Sequence, residues 1–67
     1  MDDRLSPRQR EVAQLVSRGL TDMEIGRQMG VSVHTVRWHL REAQALLGAR
    51  NRVHLAVTVV RSGPNED

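Results

Sequence analysis

Sixty-seven residues with one aromatic side chain and no cysteine leave room for a single domain with a small aliphatic core, and exclude disulfides and thiolate metal sites. Net charge is only +2, but the ten arginines between Arg4 and Arg61 meet just four acids in that span, a local charge of +6, and the other four acids lie at the two ends. No apolar run approaches a membrane span and no basic, then apolar, start marks export, so a cytoplasmic chain is expected. A positive body with acidic ends fits a nucleic-acid binder. Its arginines also suit planar, bidentate contacts, although a GC-rich genome encodes arginine readily.

Residues 1–4 are polar and predicted to be a flexible start, the domain to run from 5 to 61, and residues 62–67 to form a polar tail with Gly63-Pro64 as a stop. Ser6-Pro7 opens the first helix, with serine at the cap and proline where a missing amide costs nothing. That helix runs to about Arg18 on a Val12, Leu15 and Val16 stripe, with Leu5 before the cap as a hydrophobic staple and Gly19 as the stop. Leu20 is expected to pack inward. Thr21 and Glu24 form a capping box for a short second helix, about Asp22 to Met29, with Ile25 and Met29 facing the core. Gly26 suggests the close approach of another helix backbone, since glycine otherwise costs about 1 kcal/mol there.

Gly30-Val31-Ser32 is a turn ending in a cap residue. The third helix follows to Leu47, with Val33, Val36, Leu40, Ala43 and Leu47 on one side and Gly48 beyond it. Its other side carries His34, Arg37, Trp38 and Arg41, with His39 toward the flank and no acid until Glu42. Trp38 stands two residues from both Val36 and Leu40, so one face cannot hold all three. Two helices around a short glycine-containing turn, the second amphipathic and basic, make a helix-turn-helix, and the basic face reads as a surface for something anionic, most simply DNA.

Asn51 is a fair cap for a fourth helix, about Arg52 to Arg61. Val53, Ala56, Val57 and Val60 make one stripe, expected to meet the domain's own core, and Leu55 with Val59 a second stripe elsewhere. The β-branched residues also permit a strand, but a lone strand would have no partner.

The ordered motifs resemble the DNA-binding domain of the LuxR/FixJ/NarL class of bacterial transcription regulators, also called GerE-type. They are Leu5 through Val12, Gly19-Leu20-Thr21 with Glu24-Ile25, Gly30-Val31-Ser32, His34 through Leu40, and Leu47 through Arg52. Each is weak alone, but in this order the set is specific and spans roughly Leu5 to Val60. The resemblance implies an all-α domain of four helices, the third in the major groove of double-stranded DNA and the fourth forming a homodimer contact. It places Arg37, Trp38 and Arg41 facing bases and Thr35 and His39 on the DNA-backbone side; His34, Arg8 and Arg27 are further candidates for backbone contact. Arg37 and Arg41 share a face, and either can donate two hydrogen bonds to guanine. The Trp38 ring can pack on a thymine methyl or on sugar carbons. Thr35 can donate to a phosphate or instead bond a preceding carbonyl of its own helix. Glu11 can pair with an arginine of the third helix or face solvent. Leu55 and Val59, which the expected core contact leaves unused, are the dimer seam that the resemblance suggests.

There are departures. Asp22 and Met23 stand where many members carry Asn-Lys, which should weaken one backbone contact. Gly26 replaces a common alanine. Trp38 is bulkier than usual, so it either narrows sequence preference or marks a surface for a protein partner. Members usually attach this domain to a receiver or ligand-sensing domain. A chain with Met1 and acidic ends is expected to be a complete regulator rather than an excised piece.

No cofactor, metal or catalysis is expected: the chain has no nucleophile–base–orienter arrangement, and His34 and His39 are five apart with no cysteine to accompany them and no nearby carboxylate on the same side. A sigma-factor-like domain shares the general motif, but the helix after Gly48 favours the GerE-type reading. The alternative function is a small module that binds another regulator or the transcription machinery.

Overall fold

The computed structural model describes residues 4–62 and contains four helices: α1 (Pro7–Ser17), α2 (Asp22–Met29), α3 (Val33–Leu47) and α4 (Arg52–Ser62). The predicted frayed start and polar tail fall mainly on residues 1–3 and 63–67, outside the described residues. Among the described residues there is no strand, so the strand alternative for α4 is set aside.

Local chemistry starts each helix where the sequence places it. Ser6 Oγ accepts from the Gln9 amide at 3.2 Å, and Gln9 Oε1 accepts from the Ser6 amide at 2.9 Å, a reciprocal box in place of the single expected cap. Thr21 and Glu24 form the predicted box at 3.2 and 2.8 Å. Ser32 accepts from the Thr35 amide at 3.1 Å. Asn51 Oδ1 accepts from the His54 amide at 2.8 Å, while His54 Nδ1 accepts from the Arg50 amide at 3.0 Å, so α4 is capped from both sides.

The core is aliphatic. Leu5, Val12, Ala13, Leu15, Val16, Ile25, Val36, Leu40, Ala43 and Leu55 are buried, and Leu20, Met29, Val31, Leu47, Ala49, Ala56 and Val59 pack against them. Leu5 belongs to this core. The fourth helical position of α1 is Arg10, so Leu5 ties the chain to the core without an apolar staple partner at that position. α1 packs most extensively on α4 and then on α3, which makes it the central support for both.

The α2–α3 turn closes on Gly26. Its carbonyl accepts from the Val31 amide at 2.9 Å, and a Cβ at Gly26 would stand 2.7 Å from the Val31 carbonyl oxygen. The close approach is therefore that of the turn, not of another helix. Gly30 completes the turn at φ 74°, a left-handed conformation open to glycine at little cost.

α4 corrects the expectation about its two stripes. Leu55 is fully buried, and Ala56 and Val59 are half-buried against the core. Val53, Val57 and Val60, expected inside, are 73, 45 and 62 % exposed. The helix is apolar on both sides, so spacing alone did not choose which side α1 would cover. Leu55 is part of the core and is not available as a dimer seam, and Val59 is largely spent in the same way.

Candidate nucleic-acid interface

α3 is held by one side and presents the other. Val36, Leu40 and Ala43 are buried, which fixes its rotation about its own axis. His34, Arg37, Trp38 and Arg41 are all exposed and follow the i, i+3, i+4, i+7 spacing of one helical face. Trp38 is 51 % exposed and so is not core. Its ring lies 5.1 Å from that of His39, tilted by 53°. His39 is half-buried, and its Nδ1 is a buried side-chain atom without a hydrogen-bond partner among the described residues.

Thr35 sits in the first turn of α3. Its hydroxyl oxygen accepts from Ser32 Oγ at 3.1 Å rather than turning back to a carbonyl of its own helix. Arg8 and Arg27 are exposed on α1 and α2, on other helices from the α3 group. Glu11 does not reach α3. It faces solvent and meets Arg8 one turn earlier at 4.0 Å, an exposed pair of little energetic weight.

Asp22 does more than weaken a backbone contact: it is the centre of a network between helices. Its carboxylate bonds Arg52 Nη1 at 2.6 Å and meets Arg37 Nε at 3.4 Å, while Arg52 Nη2 donates to the Leu20 carbonyl at 3.0 Å. The α2 N-terminus is thereby tied to both α3 and α4. Burial pushes the Asp22 carboxyl up, but the hydrogen bonds and charges of Arg52 and then Arg37 outweigh it and hold the group below its ordinary value. Glu24 is also lowered, first by the Thr21 backbone amide and then by the Thr21 hydroxyl. Local spacing offers no signal for the Asp22 network, because its partners lie 15 and 30 residues further on.

Such a face, carried by the second helix of a helix-turn-helix and fixed by its buried opposite side, is the arrangement of a DNA-binding domain. The model of the family described as "Bacterial regulatory proteins, luxR family" matches residues 3–59, and the chain belongs to that family. It is 39 % identical over 56 residues to the two-component response regulator PprB of Pseudomonas aeruginosa, covering 84 % of this chain and 20 % of that protein. It is 40 % identical over 58 residues to the transcriptional activator protein BjaR1 of Bradyrhizobium diazoefficiens, covering 87 and 24 %. With the spore germination protein GerE of Bacillus subtilis it shares 36 % identity over 62 residues, covering 92 and 84 %. The chain thus spans about a fifth of the first of these relatives and most of the last. Among the described residues, no group of side chains is arranged to hold a metal ion, and no helix is long and apolar enough to cross a membrane.

Proposed function

We propose that this domain regulates bacterial transcription by reading double-stranded DNA with α3 in the major groove. The observation that carries this is the outer face of α3, where two arginines and a tryptophan stand exposed on a helix whose rotation the core fixes. Arg37 and Arg41 donate to guanine edges, and Trp38 packs on a thymine methyl or on sugar carbons. Thr35, His34 and His39 hold phosphates along the groove, with Arg8 and Arg27 adding charge from the neighbouring helices. One short helix reads few base pairs, and a two-fold dimer on a near-palindromic site doubles the readout. The seam for that dimer is the outward stripe of α4, Val53, Val57 and Val60, in place of the buried Leu55. Such a chain works in the bacterial cytoplasm, on the nucleoid.

The test is a duplex selected from a randomised library by the wild-type protein, compared with a scrambled duplex of the same composition. Arg37→Ala or Arg41→Ala should cost about 1–3 kcal/mol on the selected duplex and far less on the scrambled one. Equal losses on both would move that arginine to the phosphate contacts. The exposure of Trp38 favours a second reading, a protein partner anchored on that ring. Salt separates the two, because a complex made through several phosphates weakens steeply as salt rises.

A further inference from the structure

Among the described residues, the Asp22 carboxylate is the acid that meets the reading face of α3, and its contact is with only one of the two arginines there. It approaches Arg37 at Nε, the inner edge of the guanidinium, at 3.4 Å. Arg41, four residues on, has no hydrogen bond or ion pair among the described residues. Asp22 is itself held in place: its side chain is 21 % exposed, and its other oxygen is taken by Arg52, whose second terminal nitrogen is anchored on the Leu20 carbonyl.

A guanidinium has five N–H donors in a fixed fork. Engaging Nε leaves the two terminal nitrogens, which are the pair that a bidentate contact to guanine O6 and N7 uses. The group of two arginines and one aspartate keeps a net positive charge, so the acid does not cancel attraction to DNA at this point.

We propose that Asp22 is a positioning residue for base reading, fixing the Arg37 fork by its Nε so that the terminal nitrogens meet one base pair. The inference rests on Arg37 facing bases, as set out above. An arginine ordered before binding loses less side-chain entropy on the base edge, whereas a released arginine is drawn to the nearest phosphate. Asp22 therefore increases discrimination, and its loss increases indiscriminate binding.

Asp22→Asn keeps the shape of the side chain and removes its charge. On the selected and scrambled duplexes, the affinity ratio should fall about tenfold, within the range that one bidentate contact supplies. Affinity for the scrambled duplex should hold or rise, and the salt slope should steepen by about one phosphate contact. In an Arg37→Ala background the same substitution should leave the ratio unchanged. Equal weakening on both duplexes would overturn the proposal, as would the same loss of ratio with and without Arg37. A ratio that falls in Arg37→Ala but not in Asp22→Asn would overturn the positioning role alone. A ratio insensitive to Arg37→Ala would overturn base reading by Arg37 itself. Arginine side-chain NMR on the wild-type protein gives a test independent of the variant's stability. The Nε–H groups of Arg37 and Arg52 should be ordered and that of Arg41 mobile, and equal mobility of Arg37 and Arg41 would overturn the proposal.

Discussion

α3 and α4 both carry apolar stripes at helical spacing, yet only α3 declares which side is inside. On α3 the positions opposite Val36 and Leu40 are His34, Arg37, Trp38 and Arg41, so burying the wrong side would desolvate charges. On α4 one side offers Leu55, Ala56 and Val59 and another Val53, Val57 and Val60, so either choice buries aliphatic surface at similar gain. The difference teaches that orientation is written by the cost of burying the polar side, not by the apolar stripe itself. Where both sides are apolar, the neighbours decide, and here Leu55 is taken into the core.

The largest expected effect tests that choice directly. Leu55→Ala removes a fully buried side chain and should cost about 2–5 kcal/mol. In a domain this small, each 1 kcal/mol moves the thermal midpoint by about 4–8 °C. Val57→Ala, on the outer side, should leave the midpoint nearly unmoved. Thermal circular dichroism on the pair is decisive: equal shifts would mean that α4 does not discriminate between its sides. Val36→Asp provides the matching result on α3, where an unpaired buried charge should abolish cooperative unfolding.

The same distinction explains what could be read from the sequence. Serine or threonine before a helix, glycine after one, and polar–apolar contrast along it are local signals, and they located α2 and α3 to the residue. The outward face of α3 followed from its charges, and Arg37, Trp38 and Arg41 stand exposed on it. The inner side of α4 and the partners of Asp22 depend on which helices meet. Asp22 alone gave no hint that it would join Arg37 and Arg52, because nothing local constrains contacts across 15 and 30 residues. The close neighbour of Gly26 was misassigned for a related reason: glycine signals that backbone passes nearby, but not which backbone.

Asp22 joins the two regions, and acid should loosen it with an effect smaller than that of Leu55. Its carboxyl is held below its ordinary value in the folded state, so ionisation stabilises the fold above the unfolded group's range. That contribution should be complete above about pH 5 and should disappear as pH falls below about 4 and through the lowered folded value. Because Arg37 and Arg52 are both well exposed, solvent screening keeps it on the order of 1 kcal/mol. Wild type and Asp22→Asn should differ in thermal midpoint at pH 7 and converge at low pH. A gap that persists undiminished at pH 2 would show that the carboxylate charge is not what joins the helices.

The smallest effect on stability should accompany the largest effect on assembly, at the outer stripe of α4. Val53, Val57 and Val60 recur at four and three residues, a helical face left to solvent in the single chain. Val57→Glu should change stability by no more than about 0.5 kcal/mol, as exposed substitutions usually do. If this stripe is the seam, two copies would bury the two charges against each other, and cooperative filling of a two-half-site duplex should be lost. A negative charge on a basic domain also weakens DNA binding in general, so Val57→Arg is the necessary companion. It shifts one-site affinity in the opposite direction but places like charges in the same seam. Loss of cooperativity in both variants, with one-site affinities moving apart, isolates the contact from the field. Sedimentation velocity on duplexes with one and two half-sites measures both quantities. Wild-type cooperativity in either variant would place the dimer contact away from Val57, leaving the exposed side of α4 without a role in pairing.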